Sequence, residues 1–343
     1  MITADLSATF SPGTPVLVTG AAGFVGRHLV NALLARGFEV VALCRRAADL
    51  ENLSHPALRI EVGDLRDAAT RARLVAGRET VIHLAAARSR LRGSRAEMAA
   101  VNETATIDLA RRACDAGTKR FVWLSTALVF GPSATPLDEL APLVEDTFFS
   151  AYVVSKARAV RELRELAARG APVVILHPSI VYGPDRPERP NRVTAQIRRL
   201  LERRIDFVLD GGTARRDLVH VADVVEAIQS AAAMPAALGQ EILITGEPIG
   251  QRVLGELVAH CASRPRPLVI SAPLRFSRWA ATIGDRVGGI DARCGLTAAV
   301  EMLAGEWLFR SLRARAMLNF NPRPLAQGIA ETVEWIRSGR DDQ

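Results

Sequence analysis

Lysine is almost absent from this chain. Of its 44 Lys+Arg residues, only Lys119 and Lys156 are lysines. Aromatic residues make up 5%, and the tyrosines are just Tyr152 and Tyr182. The four cysteines, Cys44, Cys114, Cys261 and Cys294, include no CxxC pair. Neither a zinc site nor a disulfide framework is expected, and a reducing compartment fits. Residues 1–14 show no basic n-region and no apolar h-region, so no signal peptide is expected. No apolar run reaches about 18 residues, so no integral membrane segment is expected. The default expectation is a cytoplasmic protein.

What is present points to a folded enzyme-sized chain. With 343 residues and 49% hydrophobic composition, it can bury a full core as one large domain or two joined ones. The net charge of +7 comes from scattered arginines. Such a balance suits an anionic small ligand, and nucleic acid or a membrane surface are the alternatives. The arginines form no stripe and no aromatic platform accompanies them, so no nucleic-acid partner is expected.

Short apolar runs alternate with helix-length amphipathic stretches. Val16–Val18, Val40–Leu43, Val81–Leu84, Phe121–Leu124 and Val173–Leu176 read as buried strands. A helix to about Arg36, then Ala99–Ala116 and Val154–Arg169, carry helical spacing. Continuous apolar strands separated by helices predict a doubly wound parallel α/β sheet of Rossmann type. The character changes after Pro178, where Gly183 to Pro190 forms a proline-rich loop. The expected division is a dinucleotide-binding domain over 1–178, with 216–232 returning to it. A smaller substrate-binding region then occupies most of 179–343.

The segment Val16-Leu-Val-Thr-Gly20-Ala-Ala-Gly23-Phe-Val-Gly26 runs from strand through tight turn to helix. Its glycines let a pyrophosphate approach the helix N-terminus, where the dipole favours negative charge. The next strand ends at Cys44-Arg45-Arg46, where NAD sites usually carry Asp or Glu for the ribose hydroxyls. With no carboxylate in that place, Arg45 and Arg46 suit a 2′-phosphate, and NADP(H) is favoured over NAD(H). The alternative is that both arginines are ordinary solvated charges.

Tyr152 and Lys156 stand four residues apart, on one face of a helix. An ammonium beside a phenol favours phenolate, so this tyrosine can exchange a proton during hydride transfer. With two tyrosines and two lysines in the chain, random placement yields this spacing about one time in a hundred. Ser125 and Thr126 end a strand, where open α/β sheets bind ligands. Either hydroxyl can hold a reacting oxygen, or both can satisfy backbone groups.

Together these pieces resemble the extended (atypical) short-chain dehydrogenase/reductase superfamily, in its NAD-dependent epimerase/dehydratase family. The resemblance rests on Thr19 to Gly26, Gly63-Asp64-Leu65, His83-Leu84-Ala85-Ala86, Asn102, Ser125 to Gly131, Tyr152 to Lys156, Pro178 to Pro184 and Arg216 to Asp223. It implies a glycine-loop cofactor site that includes Gly20, Ala22, Gly23, Phe24, Val25 and Gly26. Asp64 and Leu65 would edge the adenine, Leu84, Ala85 and Ala86 would line the cleft, and Asn102 would shape its wall or serve structure alone. Pro178 would sit by the nicotinamide. Thr126 would hold the substrate, Tyr152 would be the acid/base, and Lys156 would bond the nicotinamide ribose. Arg216 matches the arginine that holds a nucleotide-sugar phosphate. A homodimer is implied as well.

Three departures bear on the reaction. Ala127 and Leu128 stand where 4,6-dehydratases place acidic residues, which disfavours dehydration. Ile180 replaces an asparagine frequent in sugar-nucleotide members, and Cys44 replaces the acid of NAD-retaining epimerases. A nucleotide-sugar epimerase and an NADPH-dependent ketone reductase therefore both stay open. A non-catalytic dinucleotide-binding scaffold or redox sensor is the reading from another class. It fits less well with both Tyr152 and Lys156 in place.

Overall fold

The apolar runs become the parallel strands of one large sheet. The computed structural model describes residues 10–50, 53–88, 94–186, 188 and 190–339. Residues 1–9 and, within the proline-rich loop, Pro187 and Arg189 lie outside the described residues. The chain begins with β1 (Pro15–Thr19), α1 (Phe24–Ala35), β2 (Glu39–Cys44), β3 (Leu58–Val62), α2 (Ala68–Val75) and β4 (Thr80–His83). Next come α3 (Arg95–Met98), α4 (Thr106–Asp115), β5 (Arg120–Leu124), β6 (Ser133–Leu137), α5 (Ala151–Ala168), β7 (Val173–Pro178) and β8 (Ile180–Tyr182). The second half adds α6 (Arg192–Arg203), β9 (Ile205–Leu209), β10 (Arg215–His220), α7 (Val221–Ala233), β11 (Glu241–Ile244), β12 (Glu247–Gly250), α8 (Gln251–Cys261) and β13 (Leu268–Ala272). It closes with α9 (Leu274–Val287), α10 (Leu296–Ala304), β14 (Trp307–Phe309), α11 (Leu312–Leu318) and α12 (Leu325–Ser338).

Seven strands pair in the order β11-β7-β5-β4-β1-β2-β3. Every pairing in this sheet is parallel. The strand order reverses between β1 and β4, which opens a crevice at their C-terminal ends. Strand periodicity splits the core into two layers. Val16 and Val18 pack with Leu29 of α1, Ile228 of α7 and Leu318 of α11. Leu17 faces the opposite layer, with Leu74, Leu109 and Val160 of α2, α4 and α5.

Two strands of the large sheet escaped the sequence reading. β3 is an edge strand of half-buried and exposed residues, so charges interrupt its apolar pattern. β11 is only four residues long. The helix expected over 99–116 starts earlier, at Arg95, and is wound as a π-helix from Ala99 to Ala105. Within 216–232, β10 belongs to a second sheet, pairing with β12, β14 and β8, while α7 packs on the large sheet and leads to β11 at its edge. The smaller region closes over its own core of Ile197, Leu218, Leu254, Val258 and Ile329.

Candidate functional site

Because the strands are parallel, their C-terminal ends share one edge, and most of the expected site residues gather there. Gly20 has a φ of 70°, and a Cβ on it would lie 2.6 Å from the Ala85 amide nitrogen. A Cβ on Gly26 would collide with the Gly20 carbonyl oxygen. Gly23 is the N-cap of α1, with no side-chain cap and no acidic residue in the first turn. Val25 is buried behind the turn, while Ala22 and Phe24 are half-buried. An uncapped helix start under a glycine turn fits a dinucleotide pyrophosphate.

Beneath the turn, His83 ties three elements together. Its Nδ1 lies 2.6 Å from Thr19 Oγ1 and its Nε2 lies 2.9 Å from Thr106 Oγ1. Burial lowers its pKa to about 3, with the Lys156 charge adding to the effect, so the ring is neutral at physiological pH. The chain then leaves through half-buried Leu84 and Ala85 and exposed Ala86. Asn102 is fully buried on the π-wound segment. It exchanges two hydrogen bonds with Ala87, at 2.7 and 2.8 Å, and donates to Ser155 Oγ at 3.0 Å. It thereby fastens the segment after β4 to α5. Such a π-segment interrupts the regular helix ladder and is frequent at functional sites.

The end of β2 holds more than the sequence suggested. Cys44 is buried, and Arg45 and Arg46 are exposed. The short turn Ala47–Leu50 folds Asp49 back beside them, which corrects the expectation that no carboxylate is available. Arg46 pairs with Asp49 at 2.7 Å. That hydrogen bond holds the Asp49 carboxyl below its ordinary range, aided by the charges of Arg186 and Arg45. Arg186, from the loop after β8, donates to the Asp49 carbonyl at 2.6 Å, and its Nε is buried without a partner among the described residues. On the neighbouring strand end, Asp64 grips Arg66 at 2.6 Å and Leu65 is buried.

The side chains expected to react lie beyond β5. Thr126 caps the turn Ala127–Phe130, its Oγ1 accepting from the Leu128 amide at 3.4 Å. Ser125 Oγ is buried without a partner among the described residues. Tyr152 and Lys156 rise from the first turns of α5. Lys156 is 1% exposed. Its Nζ donates to the Leu124 carbonyl at 2.9 Å and stands 4.7 Å from the Trp123 ring centroid. Burial lowers its pKa to about 7, and Arg88 adds repulsion. Lys156 was expected to draw the Tyr152 pKa down. Instead burial raises the phenol, and the cation opposing that rise is Arg88, which also hydrogen-bonds it. The reason is orientation, because the Lys156 ammonium is turned to a backbone carbonyl.

Arg88 and Arg186 were missed by sequence reasoning. Each is one of many arginines, and only the fold singles them out. Pro178 ends β7 in a buried position, on the same sheet edge. Arg216 lies apart, at the start of β10 in the second sheet. Burial lowers its pKa and the Asp206 charge opposes this.

The model of the NAD dependent epimerase/dehydratase family matches residues 16–245. The chain belongs to this family. It is an enzyme of the extended short-chain dehydrogenase/reductase type, with a relative's identity of 34% over 94% of its own length. That relative is the sterol demethylase protein B of Methylococcus capsulatus, 98% of which is covered. The 3 beta-hydroxysteroid dehydrogenase/Delta 5-->4-isomerase of Mycobacterium tuberculosis is 31% identical, over 93% of this chain and 88% of that protein. Among solved structures, MoeE5 in complex with UDP-glucose and NAD superposes with a TM-score of 0.72 at 29% identity, covering 94% of this chain and 99% of that one. Among the described residues no helix is long and apolar enough to cross a membrane, and no cluster of side chains suits a metal ion.

Proposed function

We propose that this enzyme interconverts a secondary alcohol and a ketone, with Tyr152 carrying the proton. The observation that supports the reading is that Lys156 Nζ bonds the end of β5, on the same sheet edge as the uncapped glycine turn after β1, with Tyr152 one helical turn away. A bound nicotinamide dinucleotide would supply or accept the hydride. Gly20, Gly23 and Gly26 would hold its pyrophosphate, with Ala22, Phe24 and Val25 shaping the turn. Leu84, Ala85, Ala86, Asn102 and Pro178 would form the walls, and Asp64 and Leu65 the adenine edge. Thr126 would orient the substrate oxygen toward the Tyr152 hydroxyl. Lys156, already desolvated, would donate to the nicotinamide ribose and to nothing else nearby except the Leu124 carbonyl. Arg88 would stabilise the phenolate form of Tyr152 as the proton leaves.

For the cofactor we favour NADP(H). Arg45, Arg46 and Arg186 surround a single carboxylate, Asp49, which leaves positive charge for a 2′-phosphate. For the substrate we favour an apolar alcohol or ketone over a nucleotide sugar. Support comes from the sterol and hydroxysteroid relatives and from Ile180 in place of the asparagine of sugar-nucleotide members. Arg216 favours the second reading, a nucleotide-sugar epimerase. The four free cysteines suit a reducing, cytoplasmic setting. A homodimer, as family resemblance implies, is checked by light scattering.

The test is to denature the purified protein, identify any released nucleotide, and assay NADPH- and NADH-linked turnover with hydroxysteroids and with UDP-glucose. Exchangeable NADPH with turnover of a hydroxysteroid supports the reading. Tightly retained NAD⁺ with epimerisation of UDP-glucose replaces it with the second.

A further inference from the structure

Helix α9 is built inside out. Apart from half-buried Leu274 in its first turn, its packed side presents small or polar residues, Ser277, Ala281, Gly284 and Asp285. Its other large apolar residues face outward: Phe276 is 60% exposed, Trp279 61%, Ile283 41% and Val287 83%. These four recur at three- and four-residue spacing, so they form one stripe along the helix. At about 1.5 Å per residue the stripe runs roughly 17 Å. Phe276 and Trp279 stack at a centroid distance of 5.7 Å, which makes the exposed apolar surface continuous between them. The strand that feeds the helix does the same. Ile270 of β13 lies opposite Phe207 of β9, and both side chains face solvent. A soluble chain seldom leaves such a contiguous apolar face open without using it.

The charges around the stripe say what it meets. Arg275, Arg278 and Arg286 are all exposed on the same helix. Arg278 is paired with Glu301 of α10 at 2.7 Å, whereas Arg275 and Arg286 have no carboxylate partner among the described residues. The helix's single acid, Asp285, is buried and spends its carboxylate on the amides of Leu296 and Thr297, at 2.7 and 2.8 Å. The solvent face is therefore apolar with an arginine flank and no anion. Successive 100° steps put Arg275 and Arg286 together along the Trp279 side of the stripe. A second copy docked through this face by a two-fold axis would offer these arginines no acid to meet, because the helix face carries none. An anionic lipid surface offers the opposite match, headgroup charge for the arginines and acyl chains for the stripe. Tryptophan at such a helix's edge is suited to the headgroup level.

We infer that α9 seats this enzyme on anionic lipid bilayers as a peripheral interfacial helix. The helix lies in the plane of the surface, with Phe276, Trp279, Ile283 and Val287 in the acyl boundary and Arg275 and Arg286 among the headgroups. The inference stands on α9 and its neighbouring strands alone, and it holds or fails separately from the substrate reading.

The test is co-sedimentation of the full chain with phosphatidylcholine vesicles, with and without a phosphatidylglycerol fraction. Tryptophan emission is read in parallel. Trp123 and Trp307 are fully buried and Trp335 is half-buried, so a blue shift on binding that Trp279→Phe abolishes reports on Trp279. Binding to the anionic vesicles is expected, weakened by salt, with that blue shift. The Phe276→Ser/Ile283→Ser variant should lose binding at least tenfold. Arg275→Glu/Arg286→Glu should lose it by about tenfold or more, since each cation near such a surface contributes about fivefold. The second variant leaves the apolar stripe intact, so it tests the inference even if the first folds poorly. No binding by the parent chain, or equal binding by both variants, overturns it. Dissociation of an oligomer by either variant, with vesicles ignored, would make the face a contact between copies and would also overturn it.

Discussion

Helices α5 and α9 break the usual burial rule in opposite directions. α5 buries an ammonium, Lys156, at 1% exposure, and α9 exposes an indole, Trp279, at 61%. Lysine is almost never fully buried unless paired, and a stripe of large apolar residues normally faces a core. Each helix gives up stability to hold a group where stability alone would not put it. In α5 the displaced group bonds the Leu124 carbonyl at the sheet edge, and the proposed function gives it chemistry to do. In α9 the displaced groups face outward, and their purpose is contact with another phase. Local violations of otherwise consistent folding rules mark functional places.

The chemical side of the comparison carries the largest expected effect. Tyr152→Phe keeps the ring and removes only the proton carrier. Its kcat should fall by about 10²–10⁴-fold, with nucleotide affinity almost unchanged. Steady-state kinetics and nucleotide titration together check this. Unchanged turnover in Tyr152→Phe would sink the acid/base assignment.

Lys156 supplies the next effect, which is on stability. Burial lowers its folded pKa from 10.5 to about 7, while the unfolded chain keeps the ordinary value. Between those values the unfolded state binds more protons, so stability rises with pH across the window. Below pH 7 both states are protonated and the full penalty applies. Above about 10.5 both are neutral and the penalty is gone. Without added nucleotide, Lys156→Met should therefore be more stable than the parent at neutral pH by several kcal/mol, while inactive. The gap should close as pH approaches 10. Urea melts across that range measure it, and a constant gap would mean the ammonium is not desolvated as described.

The glycine turn, the parallel α/β sheet and the Tyr152–Lys156 spacing were legible because each shows as a local pattern. A run such as Val16–Val18 is apolar on both faces only when both faces are covered. Asp49, Arg88 and Arg186 were not legible. They reach the site through tertiary folding, Asp49 on a back-turned loop and Arg186 from far along the chain, and arginine is too common here to draw notice. α9 hid for another reason. Its periodicity is that of any amphipathic helix, and sequence alone does not tell which side the core takes.

A smaller effect tests the turn itself. Gly26→Ala places a Cβ against the Gly20 carbonyl oxygen, which is backbone and has no room to yield. The cost should be about 1–3 kcal/mol, as for other overpacked sites. Nucleotide affinity should fall with it, because the turn that receives the pyrophosphate is displaced. Thermal melts with and without NADPH separate the two parts. A variant that melts like the parent and binds nucleotide equally would show that the close approach is not needed.

The smallest effect belongs to α9, and its smallness is the point. Phe276→Ser/Ile283→Ser removes two apolar side chains that already face water, so little burial is lost on folding. Unfolding free energy should change by no more than about 0.5 kcal/mol per site, as for ordinary surface positions. Two buried side chains of this size would instead cost several kcal/mol. Urea denaturation of the isolated chain distinguishes the cases. A loss of the larger size would mean that the stripe is already covered by this protein itself, and the contrast with α5 would collapse. A near-zero change, with turnover of a soluble substrate intact, leaves the stripe free for an outside surface and keeps the two helices opposite in kind.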